Sequence, residues 1–544
     1  MKKSLLLFGM LAFFTGIGNA QPACFSQLDS IETGNNLWAD SYAISADQQG
    51  SYYITGGRLA DSIYYNGNLF INGGGIYLIK FDQNHNLVWI KNGSTGNDLG
   101  FSQAVNVDIQ DNIIVGGWYE QELIFGNDTL TAQGGGNQNP FITKFRNDGS
   151  FMWSKCIFTP GYISGGQIVS LSSDTAGNIY FGGFIDGTLI FGQDTINSWG
   201  FGDNFWGKMD SLGNLQWIKA AGSVYVETGS YVAADLQGNV YITGMVGTNL
   251  STSAYFDTVP NFLPYGYIAR YSTDGQLQWL VTDQTGFFEG RAIAVSGNGF
   301  IAVTGMLAGD TITTIGNASI AVTHVDPVTF VVKLDTSGNV LWIKDAAKSA
   351  IQCYGNAILF DNNNQIIISN INPASLEVII AQDTIELQQG NPSFFLALNS
   401  QNGNIISYCY LDATSGRGLT MKGNNVLATG TWWHATNGPK IIFIAEFSPF
   451  MIGINENTSY QNHIINLYPN PANDLLNIKV NGFANKKCKI VLTNTMGQIL
   501  NEKEFETKNN SSEIQLDINN LSSGIYFLSV TSNKIGQIFK LQKQ

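Results

Sequence analysis

"DNFWGKMDSLGNLQWIKAAG", residues 203–222, carries the outline that the rest of the chain repeats. A short apolar run ends in Asp, a Gly-Asn turn follows, and an alternating run centred on Trp217 closes the unit, which reads as two strands joined by a tight turn. Aligned with "HNLVWIK", "GSFMWSK", "GQLQWLV" and "GNVLWIK", the tryptophans fall at Trp89, Trp153, Trp217, Trp279 and Trp342, spaced by 64, 64, 62 and 63 residues. Such a fixed period is the mark of a repeat architecture. A second marker, the glycine closing a β-rich run, falls at Gly56, Gly116, Gly182, Gly244, Gly305 and Gly430, with Asn370 filling the gap. The two markers predict seven copies of a unit of roughly 62 residues between Cys24 and Ser459.

Residues 165–223 display one unit in full: an alternating run "GQIVSLSSD", the turn "TAGN", "IYFGG", a looser "TLIFGQDTINS", then the two strands quoted above. Each unit therefore supplies four main strands and a short hairpin between the second and third. A lone four-stranded sheet cannot bury both faces, whereas a ring of sheets covers each with its neighbours. The predicted fold is all-β: a seven-bladed β-propeller of four-stranded blades, followed by a small C-terminal β-sandwich. The recurrent Trp is placed to wedge between adjacent sheets, burying on the order of 200 Å² each time. The sixth unit has Ser407 in place of Trp, so its interface is expected to be the weakest or differently packed. The first unit starts late and the seventh ends after "KIIFIAEFSPF", so "CFSQLDSIETG" near the start is expected to close the ring as the seventh blade's missing strand. The rival arrangement is an open or two-part array.

Of 544 residues, 44% are apolar and 12% charged, with 61 Gly and 12 Pro, which suits strands and turns rather than disorder. The formal charge of −14 is uneven: from residue 459 onward nine Lys face six Asp and Glu, a charge of +3 that leaves −17 on the rest. An acidic body argues against nucleic acid or an anionic membrane as main partner. Lys2 and Lys3, the apolar run Leu5 to Phe14 and the small residues ending at Ala20 read as a secretory signal peptide. Cys24 raises the question of a lipid anchor, but "QPAC" matches that signal poorly. No later run is apolar enough to span a bilayer. The expected division is signal peptide 1–20, propeller 21–458, linker 459–465 and C-terminal domain 466–544. Five cysteines (Cys24, Cys156, Cys353, Cys409, Cys488) form no CxxC motif; free buried thiols are the preferred reading, with Cys353 and Cys409 the pair expected if any bridges.

Nothing in the sequence nominates a catalytic group, a cofactor or a metal. The four histidines, His85, His324, His434 and His463, share no motif, and HExxH, GxSxG, Walker and GxGxxG strings are missing. Asp174, Asp210, Asp235, Asp274 and Asp335 flank Gly-Asn or Gly-Gln turns, where an Asx turn accounts for them. "DNNNQ" at residues 361–365 lacks the ligand spacing of a calcium loop. Trp118, Tyr119, Phe184, Trp432 and Trp433 follow the marker glycine and are expected where the second strand leaves the sheet; exposed at a rim, they would stack on sugar rings or a protein partner.

With its "D..GN.Y.TG" and "F..K.D..GN..W.K" patterns, the body resembles a β-propeller repeat family found in secreted bacterial proteins, a resemblance that speaks to fold more than function. After the polar "NENTSYQNH", the order Tyr468-Pro469-Asn470-Pro471, Met496-Gly497-Gln498, Leu521 to Gly524 and Tyr526, and the terminal lysines resembles the type A C-terminal sorting domain of the type IX secretion system. The resemblance implies export through the inner membrane, recognition of this domain by the outer-membrane translocon, its removal, and release or surface attachment of the body. Pro469 and Pro471 fix two φ angles beside Asn470, and Gly497 and Gly524 are expected at tight turns. The triplets beginning at Asp61, Asp128, Asp194, Asp257, Asp310 and Asp383 resemble the O-glycosylation acceptor of Bacteroidetes export, although their place in one repeated hairpin makes them recur anyway. The favoured function is a secreted or surface-attached module, more readily non-enzymatic than enzymatic, that binds glycan or protein as an adhesin or scaffold. The alternatives are a glycan hydrolase or lyase with its site at the channel mouth, which predicts converging carboxylates or His there, and a purely structural coat component.

Overall fold

The computed structural model describes residues 25–448 and 464–543, apart from short connecting segments such as 34–38, 59–62, 96–98, 132–137, 158–164, 248–253, 284–286, 309–311, 322–326, 350–352, 372–376, 387–391, 433–440, 469–471, 482–486 and 495–498. Two compact units are present, Met1–Pro449 and Phe450–Gln544. The expected signal peptide, Cys24 and most of the expected linker lie outside the described residues. All described elements are strands, and no helix is long and apolar enough to cross a membrane.

In the larger unit the described strands form seven four-stranded antiparallel meanders, called blades 1 to 7 here. Blade 1 runs Ala39–Ala46, Tyr52–Arg58, Gly75–Phe81 and Leu87–Ser94 from the inside outward. The innermost strands of blades 2 to 7 are Gly100–Val107, Gly165–Ser173, Tyr231–Ala234, Phe287–Val295, Tyr354–Phe360 and Thr414–Lys422. One backbone pairing, Gly57 with Phe101, joins blades 1 and 2. Middle strands such as Gly75–Phe81, Ile113–Tyr119, Asp203–Met209 and Val328–Leu334 are buried at every residue, because a neighbouring blade covers each face. That is why apolar residues occupy both faces of these strands, with Lys80, Lys208 and Lys333 among the charged exceptions toward the ends of three of them. The ring closes through Gln27–Thr33, which pairs along Ile441–Phe447 as the fourth strand of blade 7. Across the same seam, Ser41 Oγ and Thr429 Oγ1 lie 2.9 Å apart.

Four of the described extra hairpins do not stay with their own blade, while those of blades 3 and 5 form two-stranded sheets of their own. That of blade 1 pairs with Gln27–Thr33 of blade 7, that of blade 2 with Leu87–Ser94 of blade 1, that of blade 4 with Leu215–Ser223 of blade 3, and that of blade 6 with Val340–Ser349 of blade 5. Each caps the outer edge of the preceding blade, which would otherwise offer unpaired backbone groups.

The repeated tryptophans lie on fourth strands, half-buried, and reach the next blade. Nε1 of Trp153, Trp217, Trp279 and Trp342 donates to Ser211, Thr273, Thr336 and Ser400 oxygens at 3.3, 3.0, 3.0 and 3.1 Å. Each acceptor sits in the turn between the third and fourth strands of the following blade, and the turn glycine lies against the indole: a Cβ on Gly275 would stand 2.8 Å from Trp217. Trp89 packs likewise under Gly149, but its Nε1 has no partner. A basic residue paired to each Trp across the sheet donates to the same turn: Lys80, Lys144, Lys208, Arg270 and Lys333. In blade 6 the two positions are Ala397 and Ser407, both buried. The reason is topological. Blade 7 has no turn at that place, since its third and fourth strands come from opposite ends of the chain. Phe25 fills the space instead, edge-on to Phe395 and Phe447 with centroids 6.1 and 5.9 Å away.

The smaller unit is a sandwich of two sheets. One holds Ile464–Tyr468, Leu475–Asn481 and Ser511–Asp517; the other holds Lys487–Asn494, Ile499–Glu506, Gly524–Ser532 and Ile535–Lys543. Leu476, Ile478, Ile490, Leu492, Leu528 and Leu541 fill the space between them.

Candidate functional site

Six of the seven innermost strands carry a bulge at one position, where the sequence in five of them reads small–X–small: Ser41-Tyr42-Ala43, Ser102-Gln103-Ala104, Gly290-Arg291-Ala292, Gly355-Asn356-Ala357 and Gly416-Arg417-Gly418. Val169 takes the place in blade 3, and the fourth blade, without a bulge, reaches the same space with Tyr231. A bulge gives the strand one extra residue and re-aims its side chain. The marker glycine of the next strand makes room for it. A Cβ on Gly56, Gly183, Gly305 or Gly430 would stand 1.8, 1.8, 1.9 or 1.9 Å from the carbonyl oxygen of Asp40, Gln167, Glu289 or Ser415. In blades 2 and 3 this role falls to Gly117 and Gly183, one residue beyond the Gly116 and Gly182 of the sequence alignment. Only the second glycine of each of these two Gly-Gly pairs faces the carbonyl before the bulge.

The side chains so aimed, Tyr42, Gln103, Val169, Tyr231, Arg291, Asn356 and Arg417, line one cavity of about 290 Å³ on the ring axis. Around the ring, blades 4, 5, 6, 7 and 1 give the arc Tyr231, Arg291, Asn356, Arg417, Tyr42. The Arg291 guanidinium lies 4.2 Å from the Tyr354 ring centroid and donates from Nε to Glu289 Oε1 at 2.7 Å. Arg417 lies 4.4 Å from the Tyr42 centroid and donates from Nε to Ser415 Oγ at 3.3 Å. Burial pushes the Tyr42 hydroxyl up to about 12, so it stays protonated. The carboxylates nearest the cavity, Asp40 and Glu289, are 2% and 1% exposed and stand behind these side chains. Chemically the arc offers donors, cations and ring faces.

At the other end of the innermost strands, Asp47, Asp108 and Asp174 surround a second hollow. Their oxygens cap turns: Asp174 Oδ1 accepts from the backbone of Ala176 and Asn178, both at 2.9 Å, and Asp108 pairs with Lys144 at 2.8 Å. Asp361 caps its turn in the same way through Asn363 and Gln365. Among the described residues no group of three or more His, Cys, Asp or Glu is arranged to hold a metal ion.

Of the aromatic residues expected at a rim, Trp118 and Tyr119 lie elsewhere, and Phe184 is half-buried within its strand. Trp118 and Tyr119 remain within the sheet, paired to Phe101 and Gly100 on one side and to Pro140 and Asn139 on the other. Trp118 is 7% exposed against Phe101, and Tyr119 is fully buried with its hydroxyl 3.0 Å from Cys156 Sγ. The second strand does not leave the sheet at the marker glycine, so neither ring faces solvent. Trp433 and the Trp432 side chain lie outside the described residues. The exposed aromatic surface belongs instead to two neighbouring loops of blade 3: Trp199 and Phe201, 58% and 66% exposed, beside Val224 and Tyr225. Trp199 packs against Tyr255 with ring centroids 4.7 Å apart and the planes tilted by 43°. These loops are tied down by a buried pair of carboxyl groups. Asp203 accepts from Tyr255 at 3.0 Å, and Glu227 from Ser223 at 2.6 Å and from the Gly247 amide at 3.1 Å. Burial, reinforced by Asp203, pushes Glu227 up to about 8. The pair holds a proton at neutral pH.

Cys156 and Cys353 are free thiols. Thr129, Thr195, Thr258 and Thr384 of the Asp-Thr triplets are exposed on the outer hairpins, while the triplets at Asp61 and Asp310 lie outside the described residues. In the smaller unit Tyr468 is exposed and donates to Glu513 at 2.6 Å, and Tyr526 is buried with its hydroxyl on the Ser522 oxygen at 2.8 Å. Gly524 opens a strand outside the left-handed region, and a Cβ there meets nothing closer than 3.8 Å, so no tight turn demands it. Pro469, Asn470, Pro471, Gly497 and Gln498 lie outside the described residues.

A family model described as the secretion system C-terminal sorting domain matches residues 466–544. A curated relative, an uncharacterized WD repeat-containing protein of Acanthamoeba polyphaga mimivirus, is 28% identical over 168 residues, 27% of this chain; the chain spans 12% of that relative. Similar solved structures include a Dyadobacter fermentans protein of unknown function, with 8% identity, 78% of this chain and 100% of that one covered, and a TM-score of 0.41. BamB from Moraxella catarrhalis has 12% identity, coverage of 78% and 98%, and a TM-score of 0.30. The Dos1 propeller has 7% identity, coverage of 77% and 95%, and a TM-score of 0.38. With its closed ring of meanders and its matched tail, the chain is a secreted-type β-propeller protein carrying a type IX secretion system C-terminal sorting domain.

Proposed function

We propose that the propeller, once delivered by its tail, acts outside the cell as a non-enzymatic module that binds glycan or protein, released or held at the outer-membrane surface. The observation that carries this reading is the exposed group Trp199, Phe201, Val224 and Tyr225 on blade 3. Large rings rarely stay this exposed side by side on a monomer without a partner, and flat aromatic faces suit sugar rings or apolar side chains. The Asp203–Glu227 pair and the Trp199–Tyr255 ring contact support it by fixing the loops, which lowers the ordering cost of binding. The paired variant Trp199→Ala with Phe201→Ala tests it on a glycan array and in pull-down from the producing cell's surface fraction. Loss of captured ligand with an unchanged melting curve is expected; capture equal to the parent's would discard the reading.

A further inference from the structure

We propose that the axial cavity is a second, separate site, and that it takes a small ligand bearing a carboxylate, of the size of a sugar acid. The chain has five arginines, and two of them, Arg291 and Arg417, occupy equivalent bulge positions on either side of Asn356. A guanidinium presents a planar fork of donors that matches a carboxylate in two-point contact, and a ring beneath it holds the plane in place. Both guanidiniums have that support, from Tyr354 and Tyr42. Nε of each is already directed to Glu289 or Ser415 and the Arg417 guanidinium also meets the Tyr42 hydroxyl, which leaves the remaining terminal nitrogens for a ligand. Among the described residues Arg291 is ion-paired with Glu289, whereas Arg417 forms no ion pair with a carboxylate.

The setting adds selectivity. Before residue 459 the chain carries −17, so anions are repelled in general, and cations in a walled cavity are the exception to that field. Asp40 and Glu289 temper the positive charge from behind, which argues for one carboxylate rather than a polyanion. Asn356 between the arginines donates to the Gly416 oxygen at 3.4 Å, leaving its carbonyl oxygen for a hydroxyl. Tyr231 and Tyr42 close the ends of the arc, and Val169 opposite gives an apolar wall. About 290 Å³ falls at the small end of ligand pockets, enough for one sugar acid.

Titration calorimetry of the whole chain with sodium galacturonate, and with galactose as the neutral match, tests the site. Saturable galacturonate binding that weakens with added salt is expected, with no binding of galactose. Arg417→Gln should weaken galacturonate about tenfold or more, the usual scale for one two-point charged contact. Should that variant fold poorly, Asn356→Asp sets a carboxylate of the ligand's own sign between the arginines, where it competes for them, and should abolish binding at an unchanged melting temperature. Equal binding of the two sugars, no saturation with galacturonate, or unchanged affinity in a folded Arg417→Gln or Asn356→Asp variant overturns the proposal. The Trp199 and Phe201 variants should leave galacturonate binding intact, so failure at the axis and failure at the rim are told apart.

Discussion

His85→Gly sets two effects against each other at the seam that closes the ring. In blades 2 to 6 the equivalent turn position is Gly149, Gly213, Gly275, Gly338 and Gly403, with φ between 73° and 86°; His85 holds φ 64°. Replacing it with glycine relieves left-handed strain of about 1 kcal/mol, most of which is offset by the greater freedom glycine has in the unfolded chain. On the other side stands the imidazole. Nε2 lies 2.6 Å from Glu446 Oε2 and Nδ1 lies 2.9 Å from Asp29 Oδ2, with both groups about 10% exposed at the first contact. The other groups facing it are Tyr52, whose hydroxyl is 2.9 Å from Nδ1, and Lys422, 2.8 Å from Nε2, with Asp82 in its own turn. Glu446 keeps Lys422 at 2.7 Å and the Asn425 amide, so one charge-assisted contact and part of another are lost, about 2 kcal/mol net. Burial opposes the charge on His85, but Asp29 and Glu446 outweigh it and raise its pKa. A raised histidine contributes fully below its unfolded value near 6.5 and loses that contribution as pH climbs through its folded value. Urea unfolding of the full chain, followed by Trp fluorescence, should show a gap of about 2 kcal/mol between parent and variant at pH 6 that narrows by pH 9. A variant as stable as its parent at pH 6, the outcome if strain relief dominates, refutes the reasoning, as does a gap indifferent to pH.

Gly305→Ala forces a Cβ to within 1.9 Å of the Glu289 oxygen and should cost about 3 kcal/mol in urea unfolding, while Gly297→Ala, which meets nothing within 4 Å, should be neutral; equal effects would contradict the packing account. Glu227→Gln removes a carboxyl whose pKa is raised to about 8, a group that costs stability increasingly as pH rises from its unfolded value to its folded one. The variant should therefore match its parent near pH 4 and exceed it by about 1 kcal/mol or more at pH 8.5, and a difference that does not change with pH would count against a shared proton. Truncation before Asn466 should leave the propeller in the periplasm, which immunoblotting of cell fractions and medium checks; continued export would contradict the sorting role. Intact mass of the exported body should exceed the bare sequence if Thr129, Thr195, Thr258 or Thr384 carries a glycan, and a mass equal to the sequence disposes of that modification.

The Trp period makes the blades countable from the chain alone, because the same contact recurs at every interface that has a turn to grip. The missing Trp at Ser407 reads as a local weakness in sequence; only the topology explains that blade 7 has no such turn. The basic partner of each Trp stands in plain view as the Lys of "IKFD", "TKF", "GKMD" and "VKLD" or the Arg of "ARYS", yet its role depends on the neighbouring blade and no spacing within one unit reveals it. Gly116 and Gly182 fall one residue short of the functional position because a Gly-Gly pair offers two candidates and only a carbonyl on another strand chooses between them. The channel arc is hidden for a different reason: the lining position is the one that varies. Small–X–small at a fixed distance before each turn is the signal that points to it. Trp118 and Tyr119 mislead because pattern alone does not tell where a strand stops pairing, whereas the exposed Trp199 and Phe201 sit in a Gly-rich loop that the repeat does not single out.

The closing strand joins residues far apart in the chain: Ser26 Oγ bonds the Glu446 oxygen across 420 positions. Contacts so distant form slowly, since the loop they close takes in most of the chain. Gln27–Thr33 therefore waits, without its partner, until Ile441–Phe447 has been made, and the sorting domain follows within a few dozen residues. A product that stops before residue 441 lacks the mate of its own first strand and the export label together. Ring completion and the sorting domain thus both depend on the late part of the sequence, so a chain cut short before it has neither a closed ring nor its tail.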